Sequence, residues 1–146
     1  MKKISLFCDG SSLGNPGAGG YCAILRYGDT EKIVSGGAAN VTNNQMELLA
    51  VIEGLAVLKE PCEVTLTSDS NYVIKGINEW LGNWQRKNFV KVKNPELWQR
   101  YLKVASQHSV KGFWVKGHAG HAENEICDRI AKEEAIKIKE QSCNKS

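Results

Sequence analysis

Hydrophobic and polar positions along the chain follow two different periods, and the switches between them mark out the elements. Ile4–Cys8 is apolar on both alternating faces, as in a strand covered on both sides. Gly10–Gly20 holds five glycines and Pro16, which predicts a turn or bulge into the next strand. Gly20–Tyr27 and Lys32–Ala39 are predicted strands around a turn at Gly28-Asp29, an antiparallel meander. Thr42 then caps a helix, with Gln45 three residues on completing a capping box. Leu48, Val51, Ile52 and Leu55 follow at helical spacing, and Lys59-Glu60-Pro61 stops the helix. Val64–Thr67 alternates as a strand, and Ser68-Asp69-Ser70 is a natural cap for a short helix after it.

Helical patterning resumes from Asn78 to about Trp84, and again from Asn94 to about Gln107, entered through Pro95. Gly112–Lys116 is the predicted fifth strand and Ala122–Lys139 a long final helix, ahead of a polar tail from Gln141 to Ser146. The order β-β-β-α-β-α-α-α-β-α predicts an α/β fold. Its five-stranded mixed sheet joins the three-strand antiparallel meander to parallel strands and is flanked by helices. At 146 residues the chain is expected to form one domain, 1–141, with a frayed tail at 142–146.

Composition narrows the setting. The longest unbroken apolar stretch, Leu48–Ile52, is far short of the ~20 residues that span a bilayer. Met1-Lys2-Lys3 runs straight into a strand-like segment without a leader's apolar region. Five cysteines, an odd number without a CxxC pair, are expected to be reduced thiols, and the setting expected is cytoplasmic. Charge is uneven beneath the net +3. Lys75 to Lys116 holds nine basic and two acidic residues, leaving the rest of the chain at −4. Such a basic block suggests a polyanionic partner held against an acidic or metal-binding site.

Three of the four aspartates, Asp9, Asp69 and Asp128, fall where an element ends or near where the last helix begins. Each has a plain structural explanation: a turn dipeptide, a helix cap, a solvated helix face. Together they are harder to dismiss. Asp9 and Asp69 each close an apolar strand at its carboxyl end, and neighbouring parallel strands would put their Cα atoms ~5 Å apart. Carboxylates so close raise one another's pKa unless a cation lies between them. Glu47 follows Asn43 by four residues, so both project from the same side of the helix start. Hard oxygen ligands without a His/Cys cage favour magnesium or manganese over zinc.

Five ordered blocks, DGSSLGNPGAGG from Asp9, TNNQMELLA from Thr42, TSDSNYVIKGI from Thr67, NPELWQR from Asn94 and VKGHAGHAENEICDRIA from Val115, span nearly the whole chain. In these the sequence resembles bacterial type 1 ribonuclease H. The resemblance implies the ribonuclease H-like fold. It also implies an endonuclease acting on the RNA strand of RNA–DNA hybrids by a two-metal-ion mechanism, leaving 5′-phosphate and 3′-hydroxyl ends. By motif position Asp9, Glu47, Asp69 and Asp128 match the metal-binding carboxylates, and His118 matches the family's mobile histidine. Two Mg2+ ions are implied, with Mn2+ as a substitute. Asp9 would bridge both ions, Glu47 and Asp69 completing one shell and Asp128 the other.

Hybrid contacts are assigned on the same basis. Ser12, Asn15, Asn43, Asn44 and Asn71 stand where a 2′-hydroxyl could be sensed, and Thr42 stands at a phosphate pocket. Trp80, Trp84, Arg86 and Lys87 belong to a basic, aromatic protrusion that would track the DNA strand. Two departures from the family pattern are visible. The segment between Trp84 and Trp98 is short, and Asn40 stands where some relatives have a basic residue. A monomer is expected. The competing readings are a hybrid-binding module without catalysis and a related-fold DNA nuclease of integrase or resolvase type. A zinc site at His118, His121 and Cys127 is disfavoured because closed zinc sites want four ligands.

Overall fold

The computed structural model describes residues 1–116 and 122–143, with side chains through Gln141. Five strands form one sheet: β1 (Lys2–Ser12), β2 (Gly17–Tyr27), β3 (Thr30–Val41), β4 (Cys62–Ser68) and β5 (Ser109–Trp114). Their order is β3-β2-β1-β4-β5. β1, β2 and β3 pair antiparallel, while β4 pairs parallel with both β1 and β5. The mixed sheet expected from the element order is therefore present. The helices are α1 (Asn43–Ala56), α2 (Asn71–Lys75), α3 (Leu81–Arg86), α4 (Pro95–Ala105) and α5 (Ala122–Cys143). Among the described residues no helix is long and apolar enough to cross a membrane.

Both faces of the sheet are covered, as the doubly apolar β1 requires. Leu6 and Cys8 point to one side and pack with Leu48, Val51, Ile52, Leu66, Val73 and Trp98 beneath α1, α2 and α4. Phe7 points to the other and packs with Cys22, Ile24, Cys127 and Ala131 beneath α5. Cys8, Cys22, Cys62 and Cys127 are buried free thiols, and burial pushes the Cys8 thiol well up, so it acts as a small hydrophobe.

Several boundaries differ from expectation, each for a physical reason. β1 continues to Ser12 and β2 begins at Gly17, so most of the glycine-rich segment is strand and only residues 13–16 turn. A register shift at Gly17/Gly19 supplies the predicted bulge. Asp9 consequently lies inside β1 rather than at its end. The short helix expected after Ser68-Asp69-Ser70 is α2, capped by Ser70, but it does not end before the pattern from Asn78: it passes through a π-helical turn at Gly76–Trp80 directly into α3. Gly76 masks that run, because glycine is a poor helix former, yet a Cβ there would collide with the buried Trp98 indole. β5 spans Ser109–Trp114, beginning and ending earlier than the expected Gly112–Lys116: it is an edge strand whose Ser109 and Lys111 are exposed, so its first half carries little apolar signal. α5 runs on to Cys143, past Gln141 where the tail was expected to begin.

The α1 start is as read from sequence. Thr42 Oγ1 accepts from Gln45 N–H at 3.2 Å while Gln45 Oε1 accepts from Thr42 N–H at 2.9 Å. That closed box fixes where the helix begins, and with it the rotation of Glu47 about the helix axis.

Candidate active site

The β1–β4 ladder brings the first two acids together. Its pairs run in one register from Lys2–Cys62 to Phe7–Thr67, so two further residues along each chain reach Asp9 and Asp69. Glu47 arrives from α1. Gly10, the neighbour of Asp9, lies directly under that helix, and a Cβ built on it would overlap the backbone of Met46 and Glu47. Only a hydrogen at this position lets α1 come close enough for its carboxylate to meet Asp9. As a result Asp9, Glu47 and Asp69 each place a carboxylate oxygen within 4.8 Å of the others.

The electrostatics of this trio are those of a site short of positive charge. Asp9 is only 7% exposed. Burial, then the negative charge of Asp69, raises its pKa to about 7, with Asp128 adding to the effect. Burial, then Asp9, likewise pushes the Glu47 carboxyl well up. Asp9 Oδ1 accepts from Gly10 N–H at 2.9 Å, while Glu47 Oε2 is shielded from solvent and has no hydrogen-bond partner. A buried carboxylate oxygen without a donor, on a residue clustered with two more carboxylates, is what a hard divalent cation would satisfy. The donor set fits magnesium or manganese chemistry, being all oxygen.

Asp128 stands apart from the three. It comes from α5, is paired with Lys132 one turn on at 3.0 Å, and is not in the 4.8 Å group. It is nonetheless near enough for its charge to act on Asp9. Gly20 sets that approach, since a Cβ there would run into the backbone of Ala131 and Ala135 in α5.

A family model for RNase H matches residues 1–136. The chain belongs to the RNase H family. It is 61% identical to a Ribonuclease H of Campylobacter concisus, over 97% of this chain and 99% of the relative. It is equally 61% identical to a Ribonuclease HI of Helicobacter pylori, over 94% of this chain and 96% of that one. Among solved structures, LC9-RNase H1, a type 1 RNase H with the type 2 active-site motif, superposes with a TM-score of 0.85. It is 28% identical, and the match covers 94% of this chain and 74% of that one. The RNase H fold expected from the motifs is thereby established.

The other residues singled out in sequence fall into three groups. Asn15, Thr42, Asn43 and Asn44 line one recess beside the acids' helix, where Asn15 Oδ1 accepts from Asn43 N–H at 3.2 Å. Ser12 Oγ donates to the Gly14 carbonyl, and Asn71 is exposed at the start of α2. Trp80, Arg86 and Lys87 are exposed on the helical run that ends in α3. Trp84 instead turns inward, its ring 5.2 Å from that of Trp98 and 5.7 Å from that of Trp80. His118 and His121 lie outside the described residues.

Two neighbours of the site carry no functional signal in the sequence. Asn94, with Lys93 of the basic block, lines the same recess as Thr42. Asn94 adopts a left-handed backbone (φ 57°) and makes no cap bond of its own. Its amide instead accepts from Gln45 at 3.1 Å and donates to the Tyr72 hydroxyl at 3.1 Å. Asparagine tolerates that conformation better than most residues, which is the one local signal the sequence held. Trp114 is the second. It was read only as part of a strand, yet its indole N–H donates to the Asp69 carbonyl at 3.0 Å.

Proposed function

We propose that this protein is a metal-dependent endoribonuclease that hydrolyses the RNA strand of RNA–DNA hybrids, leaving 5′-phosphate and 3′-hydroxyl ends. Family membership supports the activity, and one observation of this chain carries it: three carboxylates from three separate elements within 4.8 Å, one with a buried, unpartnered oxygen. Asp9, Glu47, Asp69 and Asp128 would hold two divalent ions, Mg2+ with Mn2+ as a substitute. Bound there, such ions supply charge neutralisation at the phosphate and at the leaving 3′-oxygen, and acidify the attacking water.

The chain's own groups do the rest. Asp9, the most buried of the four, would contribute to both ions, Glu47 and Asp69 to one and Asp128 to the other. His118 moves a proton at the departing product. The recess around Thr42, with Lys93 and Asn94, receives a backbone phosphate of the DNA strand. Ser12, Asn15, Asn43, Asn44 and Asn71 line the path of the RNA strand, where neutral donors and acceptors test for the 2′-hydroxyl. Trp80, Arg86 and Lys87 hold the DNA strand further along. A cytoplasmic monomer is consistent with free buried thiols and closed core faces.

The deciding experiment compares cleavage of an RNA–DNA hybrid, duplex RNA and duplex DNA with and without Mg2+. Cutting is expected in the hybrid's RNA strand alone and only with the metal. Asp9→Asn and Asp69→Asn should each lower turnover by roughly 10²-fold or more while leaving the fold intact. Equal cutting of duplex DNA would favour an integrase-like nuclease, and tight hybrid binding without cutting a binding module.

A further inference from the structure

The turn that carries Asp69 is held from two sides, and one holder has no part in the chemistry described above. β4 leaves the sheet at Ser68, whose register partner is Trp114, the last residue of β5. The ladder closes with Val115 N–H donating to the Ser68 carbonyl at 3.0 Å. The next carbonyl, that of Asp69, lies beyond the last paired residues and accepts from the Trp114 indole N–H at 3.0 Å. On the other side of the same peptide unit, Ser70 N–H donates to Ser68 Oγ at 3.1 Å. Both polar groups of the Asp69–Ser70 peptide are thus engaged by side chains from two strands. A planar peptide unit tied at both ends restricts ψ of Asp69, and with it the direction in which the carboxylate leaves the backbone.

The indole's setting argues against a purely packing role. Trp114 is 48% exposed, so its ring adds little to the core, and an exposed N–H could as well have been left to water. We infer that Trp114 is a positioning residue whose indole N–H aims the Asp69 carboxylate at Asp9 and Glu47. The inference rests on the assignment of Asp69 as a metal ligand. Groups that orient a ligand from behind typically govern metal affinity rather than the fold.

Mn2+ titrated calorimetrically into the full-length, substrate-free protein separates the possibilities. Trp114→Phe keeps a ring and loses only the donor. It should bind Mn2+ about tenfold more weakly, with unchanged melting temperature in chelator and unchanged hybrid binding in chelator. In turnover the Mn2+ concentration for half-maximal rate should rise, with kcat at saturating Mn2+ returning toward wild type. Trp114→Leu, lacking both ring and donor, should do no worse. Wild-type Mn2+ affinity in Trp114→Phe overturns the inference. A matching fall in melting temperature does so too, as does a much larger loss in Trp114→Leu. Asp69→Asn is the control for the underlying assignment: if it binds Mn2+ as wild type does, the ligand reading of Asp69 fails, whatever Trp114 does.

Discussion

At the scale of single residues, the crowding of Asp9 has a thermodynamic signature. Its ordinary pKa of 3.8 rises to about 7 in the folded protein. Between those values the native state keeps a proton that the unfolded chain has released, so stability falls as pH rises and the full penalty is present above pH 7. Urea melts in chelator should therefore show Asp9→Asn more stable than wild type, and by about 2 kcal/mol more at pH 8 than at pH 5. Adding Mg2+ should favour wild type and shrink the gap. A pH-independent difference would show that Asp9 is ionised without strain. Asp9 and Asp69 were legible in sequence because each follows an apolar strand pattern, and Glu47 because it lies in a capped helix start; the parallel pairing of β1 with β4, 60 positions apart, came with the family resemblance. Asn94 and Trp114 were not legible, because their bonds reach Tyr72, Gln45 and Asp69 across 22 to 49 positions of chain, a distance that no periodicity encodes.

At the scale of elements, the site depends on how closely two helices sit on one sheet. α1 rests on β1 at Gly10 and α5 on β2 at Gly20. Read locally, these glycines signalled a turn. In the fold they are flat places on strands, and that reversal is why β1 and β2 proved longer than their patterns. Gly10→Ala should push Met46 and Glu47 away, costing about 1–3 kcal/mol by overpacking and weakening Mn2+ binding at the same time. Gly82, in α3, offers the opposite case: nothing lies within 4 Å of a Cβ there. Gly82→Ala should be neutral or stabilising by about 0.5–1 kcal/mol with metal binding untouched. Chemical denaturation and Mn2+ calorimetry on the two variants test the contrast, and equal effects would refute the seating role of Gly10.

At the scale of the whole molecule, the charge division seen in sequence becomes a division of labour in space. The trio of acids is carried by β1, α1 and the end of β4, while the basic block begins in α2 and continues through α3 and α4. Arg86 and Lys87, at the end of α3, are exposed and unpaired with acids in the described structure. Their charge is thus open to whatever polyanion arrives. Contacts of this kind release counterions and do not read bases, so affinity should fall steeply with salt and vary little with hybrid sequence. Binding of a labelled hybrid, followed by anisotropy in chelator from low to moderate KCl, gives a log–log slope. Arg86→Ala combined with Lys87→Ala should flatten that slope by about one to two and weaken all hybrids alike. An unchanged slope would move the DNA-strand contact away from α3 and toward Lys93 in the Thr42 recess, where Lys93→Ala should then carry the salt dependence instead.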